Sequence, residues 1–287
     1  MIRILVALVV LLSVEAHGNE TFRIVAANLT AGRHQTYSPD NANHSNPEGA
    51  GARILRALKP DIVLIQEFQT TIPRRQWINQ TFGTEFSFMV EEGEGIPNGV
   101  ISRFPIIESG EWDCARLENR DFAWARIALP GGQKLLAVSV HFYAQKARDR
   151  TAQARQLVDY IRNHLRPGEW LVVGGDLNVR SEQEEAVVIL GGVIDIPKNL
   201  PADQAGNSGT NGPRSAPYDW VLVSAPLAGR ETPVRLGGHE FPGGLVFDSR
   251  AFDPLAAVAP VQADDSAVFG MQHMAVMRDF RMPAAGE

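Results

Sequence analysis

The chain has a single cysteine. Cys114 therefore cannot close an internal disulfide, and a chain of 287 residues has to be held together by its core instead. The thiol is expected to pack as a small buried hydrophobe, with an intermolecular bridge as the alternative. An excess of positive charge is missing too. Lys and Arg number 27 against 33 Asp and Glu, a formal net charge of −6. That excludes sequence-independent coating of nucleic acid and leaves room only for a local basic rim. The apolar run Ile4–Val14 falls short of the roughly 20 residues a membrane helix needs. There is no internal repeat and no break in composition that would mark a linker.

What is present is ordinary globular composition, 44% hydrophobic and 21% charged. Arg3, the short apolar run after it, and Val14 and Ala16 at small-residue positions read as a secretory signal over residues 1–18. An uncleaved anchor or a buried first strand is the competing reading. Residues 19–287 read as one domain, secreted or periplasmic, monomeric, with no membrane span once the signal is cleaved.

Along that domain, apolar strand-like runs repeatedly end in a polar residue. Thr21–Leu29 ends around Asn28, and Asp61–Glu67 ends in Glu67. Phe122–Leu129 and Lys134–His141 form a hairpin across Pro130-Gly131-Gly132, ending in His141. Trp170–Gly175 runs out into Asp176-Leu177-Asn178. Tyr218–Val223 carries Asp219 near its start, and Met274–Phe280 follows Gln272-His273. Helical spacing appears over Glu48–Leu58, Pro73–Phe82, Ala147–Leu165 and Glu182–Leu190. Polar loops cover 30–47 and 199–217, while 230–262 gives strand-like pieces without a clear assignment. Strands outnumber helices and neighbours look antiparallel. This predicts an α+β fold, two mixed sheets packed face to face with helices outside.

Strand alternation would project Asp176 and Asn178 to the same side, with Leu177 turned to the core. Gly174 and Gly175 would leave room for another backbone or a ligand. Taken singly, each polar strand end is ordinary: a turn residue, a solvated acid, a surface histidine. Taken together, Asn28, Glu67, His141, Asp176, Asn178 and His273 suit hydrolysis of a phosphate ester. Oxygen ligands such as Glu67 and Asn28 suit a hard divalent cation. Asp176 can serve as base toward a water, and histidines and amides can stabilise charge on phosphoryl oxygens.

These residues carry a resemblance. Ile24–Asn28, Pro60–Glu67, Asn98–Ile106, Val138–His141, Gly174–Asn178, Tyr218–Leu222 and Gln272–Val276 stand in an order that resembles the endonuclease/exonuclease/phosphatase superfamily. The Gln-Glu and Gly-Asp-x-Asn pieces are each only moderately specific, and their ordered combination is what identifies the family. The resemblance implies a four-layer α/β sandwich with Mg²⁺ or Mn²⁺ held by Glu67 and Asn28. It implies that His141 contacts the scissile phosphate, that Asp176 orients and deprotonates water, and that Asn178 hydrogen-bonds a phosphoryl oxygen. Asp219 would orient His273, which stabilises the transition state or acts as an acid. Arg120, just before the Phe122 strand, stands where some members place a phosphate-contacting arginine. Arg148, on the helix after His141, and Arg214, in the loop before Asp219, are further candidates for substrate contact. A solvated helix face is the plainer account of Arg148, Arg150 and Arg155. The family pattern ends Ser-Asp-His, whereas this chain reads Met271-Gln272-His273. Gln272 supplies no charge, which puts a two-metal arrangement in doubt. The expected activity is that of an exported metal-dependent phosphodiester hydrolase, nuclease-like. The alternatives are a phosphomonoesterase, a sphingomyelinase-like phospholipid hydrolase, or a catalytically silent phospho-ligand binder. The substrate is accordingly a nucleic acid, a phospholipid or a small organic phosphate.

Overall fold

Alternation along the strands divides the side chains between two kinds of surface. In β1 (Thr21–Asn28), Ile24 and Ala26 face the middle of the molecule, while Val25 and Ala27 face an outer helix. In β2 (Ile62–Gln66), Ile62 and Leu64 point inward and Val63 and Ile65 outward. Both strands are covered on two faces, which is why they read as nearly unbroken apolar runs. The structure is a computed structural model that describes residues 21–30, 48–70, 72–115, 117–268 and 270–283. The readings of residues 1–18 and of 31–47 lie outside the described residues.

Two mixed sheets result. The first is ordered β10 (Glu231–Thr232), β14 (Ala275–Arg281), β1, β2, β4 (Gly99–Ser102), β3 (Ser87–Val90), with β13 (Leu245–Phe247) also paired to β14. The second runs β5 (Ile106–Trp112), β6 (Phe122–Ala128), β7 (Lys134–His141), β8 (Trp170–Asp176), β9 (Asp219–Val223). A small hairpin, β11 (Val234–Leu236) with β12 (His239–Phe241), stands apart. Their inner faces meet through Phe22, Ile24, Leu64, Ile127, Val172 and Phe280. Helices α1 (Ala50–Leu58) and α2 (Arg74–Thr81) cover the outside of the first sheet, and α3 (Ala147–His164) and α4 (Glu185–Leu190) the outside of the second. This is the expected four-layer arrangement. Fully burying an Ile, Leu or Phe contributes roughly 1.5–3 kcal/mol, so the three apolar layers do without a disulfide. Cys114 is buried in the α3 layer.

Each sheet contains a parallel pair, β1–β2 and β7–β8. Parallel neighbours need a crossover connection; here α1 lies within one and α3 within the other. Parallel pairing places both strand ends of a pair at one edge. Asn28 aligns with Gln66, next to Glu67, and His141 aligns with Asp176. The antiparallel neighbours β9 and β14 start where these end: Asp219 aligns with Asp176, and His273 lies just before β14. The topology thus gathers six scattered polar residues onto one rim.

Candidate active site

Asp176 is the centre of that rim. It is 1% exposed. Its Oδ2 faces Asn178 Nδ2 at 3.0 Å, Asn28 Nδ2 at 3.2 Å, His141 Nε2 at 3.2 Å and His273 Nε2 at 3.5 Å. Its Oδ1 accepts the Asn178 backbone N–H at 2.9 Å. Burial alone would push this carboxyl up, but His273, His141 and the Asn178 N–H bring it down to about 2. It is therefore a carboxylate at neutral pH.

Asp176 and Asn178 do converge, though by a different route from strand alternation. Asn178 has φ 52°, in the left-handed region, and folds back onto Asp176 in a tight turn. Its Nδ2 also donates to Phe142 O at 3.1 Å. Glu67 sits at φ 50°, likewise just past a strand. Left-handed backbone at non-glycine residues is uncommon and tends to cluster at functional sites. Gly175 shows what the glycines do. A Cβ there would lie 2.2 Å from Val140 O and 2.5 Å from Gln66 Nε2, and its φ is 130°. The close approach is that of the neighbouring strand and the opposite sheet.

His273 is held from both sides. Its Nδ1 is 2.9 Å from Asp219 Oδ2, and its Nε2 faces Asp176. Burial disfavours the imidazolium, but the Asp219 and Asp176 carboxylates outweigh it and raise His273 to about 10. Burial pushes Asp219 up to about 6 despite its histidine partner. At neutral pH the pair is an imidazolium on a carboxylate. His141 goes the other way: burial and the nearby Arg120 lower it, so it is neutral, with Nε2 directed at Asp176.

Glu67 is 2% exposed and lies 3.3 Å from Asn28 Nδ2. The Asn28 amide thus bridges two buried carboxylates, Glu67 and Asp176, while its Oδ1 accepts the Thr30 N–H at 2.7 Å. Two oxygen-donor acids joined by one neutral amide suit a hard divalent cation. Glu67 could supply one of its oxygens to such an ion. Asn28 presents nitrogen, not oxygen, to that space, so it ligates only if the amide turns over. Asp176, Asp219 and His273 also lie close enough to hold a metal.

The three arginines divide differently. Arg120 is 6% exposed; its Nε donates to His141 O at 2.7 Å and its Nη2 to Phe142 O at 3.1 Å. Instead of presenting a free guanidinium to substrate, it fixes the strand end that carries His141. Arg214 pairs with Asp203 and Asp248 and donates to Gly209 O, clamping the 199–217 loop. That loop in turn supports the site: Asn211 pairs with His273, and Met274 N donates to Thr210 O. Arg148 is a solvated side chain, 80% exposed, with Asp149 at 4.0 Å. Among the described residues none of the three forms a hydrogen bond or ion pair with Asp176 or His273, although the buried Arg120 guanidinium feels the Asp176 and Glu67 carboxylates. Arg150, grouped with the solvated face from sequence, is instead buried against Glu184 and the carbonyls of Tyr143 and Ala144.

Several participants were not singled out from sequence. Gln66 Nε2 donates to Ser139 Oγ at 2.8 Å, and Ser139 Oγ donates to Ile65 O at 2.9 Å. This polar staple joins the two sheets directly behind Glu67 and Asp176. Its only sequence signal is the polar Gln preceding Glu67. Tyr218, beside Asp219, has its ring 6.1 Å from that of His273. Asp265 does not replace the acid missing at Gln272, since it pairs with Arg53.

A family model described as Endonuclease/Exonuclease/phosphatase family matches residues 41–241. No curated protein sequence matches the chain. Among solved structures, the chain is similar to an endonuclease/exonuclease/phosphatase from Beutenbergia cavernae (15% identity, TM-score 0.59, covering 93% of this chain and 72% of that one). It is similar to truncated Caenorhabditis elegans TDP2 (16%, 0.59, 91% and 97%). It is also similar to SmcL (16%, 0.56, 91% and 99%). At these identities the likeness is one of fold.

Proposed function

This chain belongs to the endonuclease/exonuclease/phosphatase family, and from that premise we propose that it is a divalent-metal-dependent phosphodiester hydrolase, nuclease-like in its substrate. The observation that carries the reading is the surroundings of Asp176: an ionised, buried carboxylate touched by two amides and two histidines, with Glu67 one amide away.

The residues divide the work as follows. Asp176 accepts a hydrogen bond from the attacking water and takes up its proton as the water oxygen bonds to phosphorus. The 3.5 Å contact to His273 is the longest around Asp176 and is the one a water or phosphoryl oxygen would replace. Asn178 Nδ2 and His141 Nε2–H donate to phosphoryl oxygens, which gain charge in the transition state. His273, kept cationic by Asp219, stabilises the same charge or protonates the departing oxygen as its bond to phosphorus breaks. Mg²⁺ or Mn²⁺, held by Glu67 with Asn28, would neutralise phosphoryl charge and draw the ester into register. Arg120 positions His141.

Residues 1–18 are proposed to be a removable export signal, which N-terminal sequencing of the mature protein tests. Among the described residues, no helix is long and apolar enough to cross a membrane. The function is tested by assaying residues 19–287 on bis-p-nitrophenyl phosphate, plasmid DNA, p-nitrophenyl phosphate and sphingomyelin with Mg²⁺, Mn²⁺ or EDTA. Diester cleavage that needs metal and is lost in Asp176→Ala and His273→Ala is expected. Activity persisting in EDTA would sink the mechanism, and diester cleavage without DNA cleavage would remove the nuclease reading.

A further inference from the structure

Two residues beyond Asn178, the chain places a cation at the mouth of the site. Arg180 is exposed, and its guanidinium forms no ion pair among the described residues. Its carbon lies 4.8 Å from the centre of the Tyr218 ring, and its Nη1 donates to the Tyr218 hydroxyl. The Tyr218 ring is 6.1 Å from the His273 ring. Both residues of this pair are anchored. Tyr218 O accepts the Leu177 N–H at 2.7 Å, between Asp176 and Asn178. The Arg180 N–H donates to Glu184 Oε2 at 3.1 Å, and Glu184 Oε1 accepts from the buried Arg150.

The neighbourhood makes an exposed arginine here unusual. Glu67, Asp176 and Asp219 put three carboxyls in the cluster, and the buried Arg120 is committed to backbone carbonyls. An anionic substrate approaching that cluster gains from a cation it can reach, and Arg180 is one that pairs with no carboxylate among the described residues. Stacking on Tyr218 holds the guanidinium plane while leaving its other N–H groups for an oxyanion, the fork geometry that suits phosphate. Tyr218 is half-buried and anchored, so the cation is presented at low entropic cost.

We infer that Arg180, stacked on Tyr218, is a subsite for a second phosphate flanking the scissile one. The preferred substrate is then a phosphodiester within a longer phosphate backbone. This rests on the phosphodiesterase reading above and narrows it, because it assigns discrimination between an isolated diester and one with a phosphorylated neighbour.

The test compares the dinucleotide TpT with pTpT and TpTp, which share the scissile bond and differ by one flanking phosphate. With the full chain and Mg²⁺, one of the phosphorylated forms is expected to exceed TpT in kcat/KM by about 10-fold, mainly through KM, the size of a charge-assisted hydrogen bond. Arg180→Gln reduces that ratio toward one, Arg180→Lys restores part of it, and Tyr218→Leu lowers it by freeing the guanidinium. A wild-type ratio of one, or a ratio unchanged in Arg180→Gln, overturns the subsite. Binding gives a readout that does not need turnover. By calorimetry in Ca²⁺, thymidine 3′,5′-bisphosphate should bind more tightly than thymidine 5′-monophosphate, and the difference should vanish in Arg180→Gln. Equal binding of the two overturns the subsite. If no diester at all is cleaved while this binding difference persists, it is the hydrolase reading that fails and the subsite that stands.

Discussion

His273 Nδ1 lies 2.9 Å from Asp219 Oδ2, and both side chains are buried. The pair fixes which way the imidazole faces: with Nδ1 bound to Asp219, only Nε2 is available to the rim where Asp176 sits. Asp219 also sets the charge, since its carboxylate is the largest influence raising His273 to about 10, against the opposing effect of burial.

Asp219→Asn should therefore act through His273. Loss of the anion leaves a buried histidine that favours the neutral form. We expect kcat to fall by about 100-fold or more, with KM little changed, as for an orienting acid behind a catalytic histidine. The pH profile distinguishes this from a packing defect. Wild-type activity that depends on imidazolium persists well above neutral pH and is lost as pH rises through the raised pKa. In Asp219→Asn that alkaline limb moves toward lower pH, and an unmoved limb would rule out this role for Asp219.

Glu67→Gln tests the metal. The substitution keeps the shape and removes the charge that draws a hard cation. Activity should fall at least about 100-fold with partial recovery at high Mg²⁺, because phosphoryl charge then goes largely unneutralised. A melting experiment gives an independent reading. Mg²⁺ at a hundredfold excess over its Kd stabilises a binder by about 2.7 kcal/mol, so the wild type should gain several degrees in Tm and Glu67→Gln should not. Equal gains would place the ion elsewhere, for instance on Asp176, Asp219 and His273.

The staple behind the site makes a stability prediction. Ser139→Ala leaves the buried Gln66 amide without its acceptor at 2.8 Å, which costs about 1–3 kcal/mol. Gly175→Ala should cost more, since its Cβ would lie 2.2 Å from a backbone carbonyl at a φ of 130°; strain of this kind reaches about 3 kcal/mol. Urea unfolding checks both. A neutral Gly175→Ala would mean that β7 and β8 can separate without loss.

How much of this could be read from the residues follows from the range of each interaction. Strands buried on two faces show as apolar runs, so Asn28, Glu67, His141 and Asp176 were legible as strand ends, and the parallel pairing then gathers them. The arginines were not legible in the same way. Whether a guanidinium meets a phosphate or a carbonyl depends on partners far along the chain, as with Arg120 and His141 O, or Arg214 and Asp248. The stretch 230–262 resisted assignment because its strands are two or three residues long, too short to display a period. Strand alternation predicts that Asn178 shares a face with Asp176, whereas the structure brings the two together through a left-handed turn at Asn178, which alternation does not reveal.

Glu91 sets a pH dependence of stability separate from catalysis. It is fully buried, and burial is the main influence raising its pKa to about 7, against the hydrogen bonds from the Asn98 backbone and amide. In the unfolded chain it titrates near the ordinary glutamate value. Below that value both states hold the proton and Glu91 contributes no pH dependence. Between it and about 7 the folded state keeps a proton that the unfolded state has released, so stability declines as pH rises, and above about 7 the decline stops. A shift of this size corresponds to about 3 kcal/mol. Glu91→Gln removes the titrating group while keeping one oxygen for the Asn98 N–H. The difference in unfolding free energy between wild type and Glu91→Gln, measured in urea at pH 5 and at pH 8, should therefore move by roughly that amount against the wild type at the higher pH. An equal pH slope in the two proteins would show that Glu91 is hydrated or ionised throughout, and that the loop from Glu91 to Asn98 is open to water.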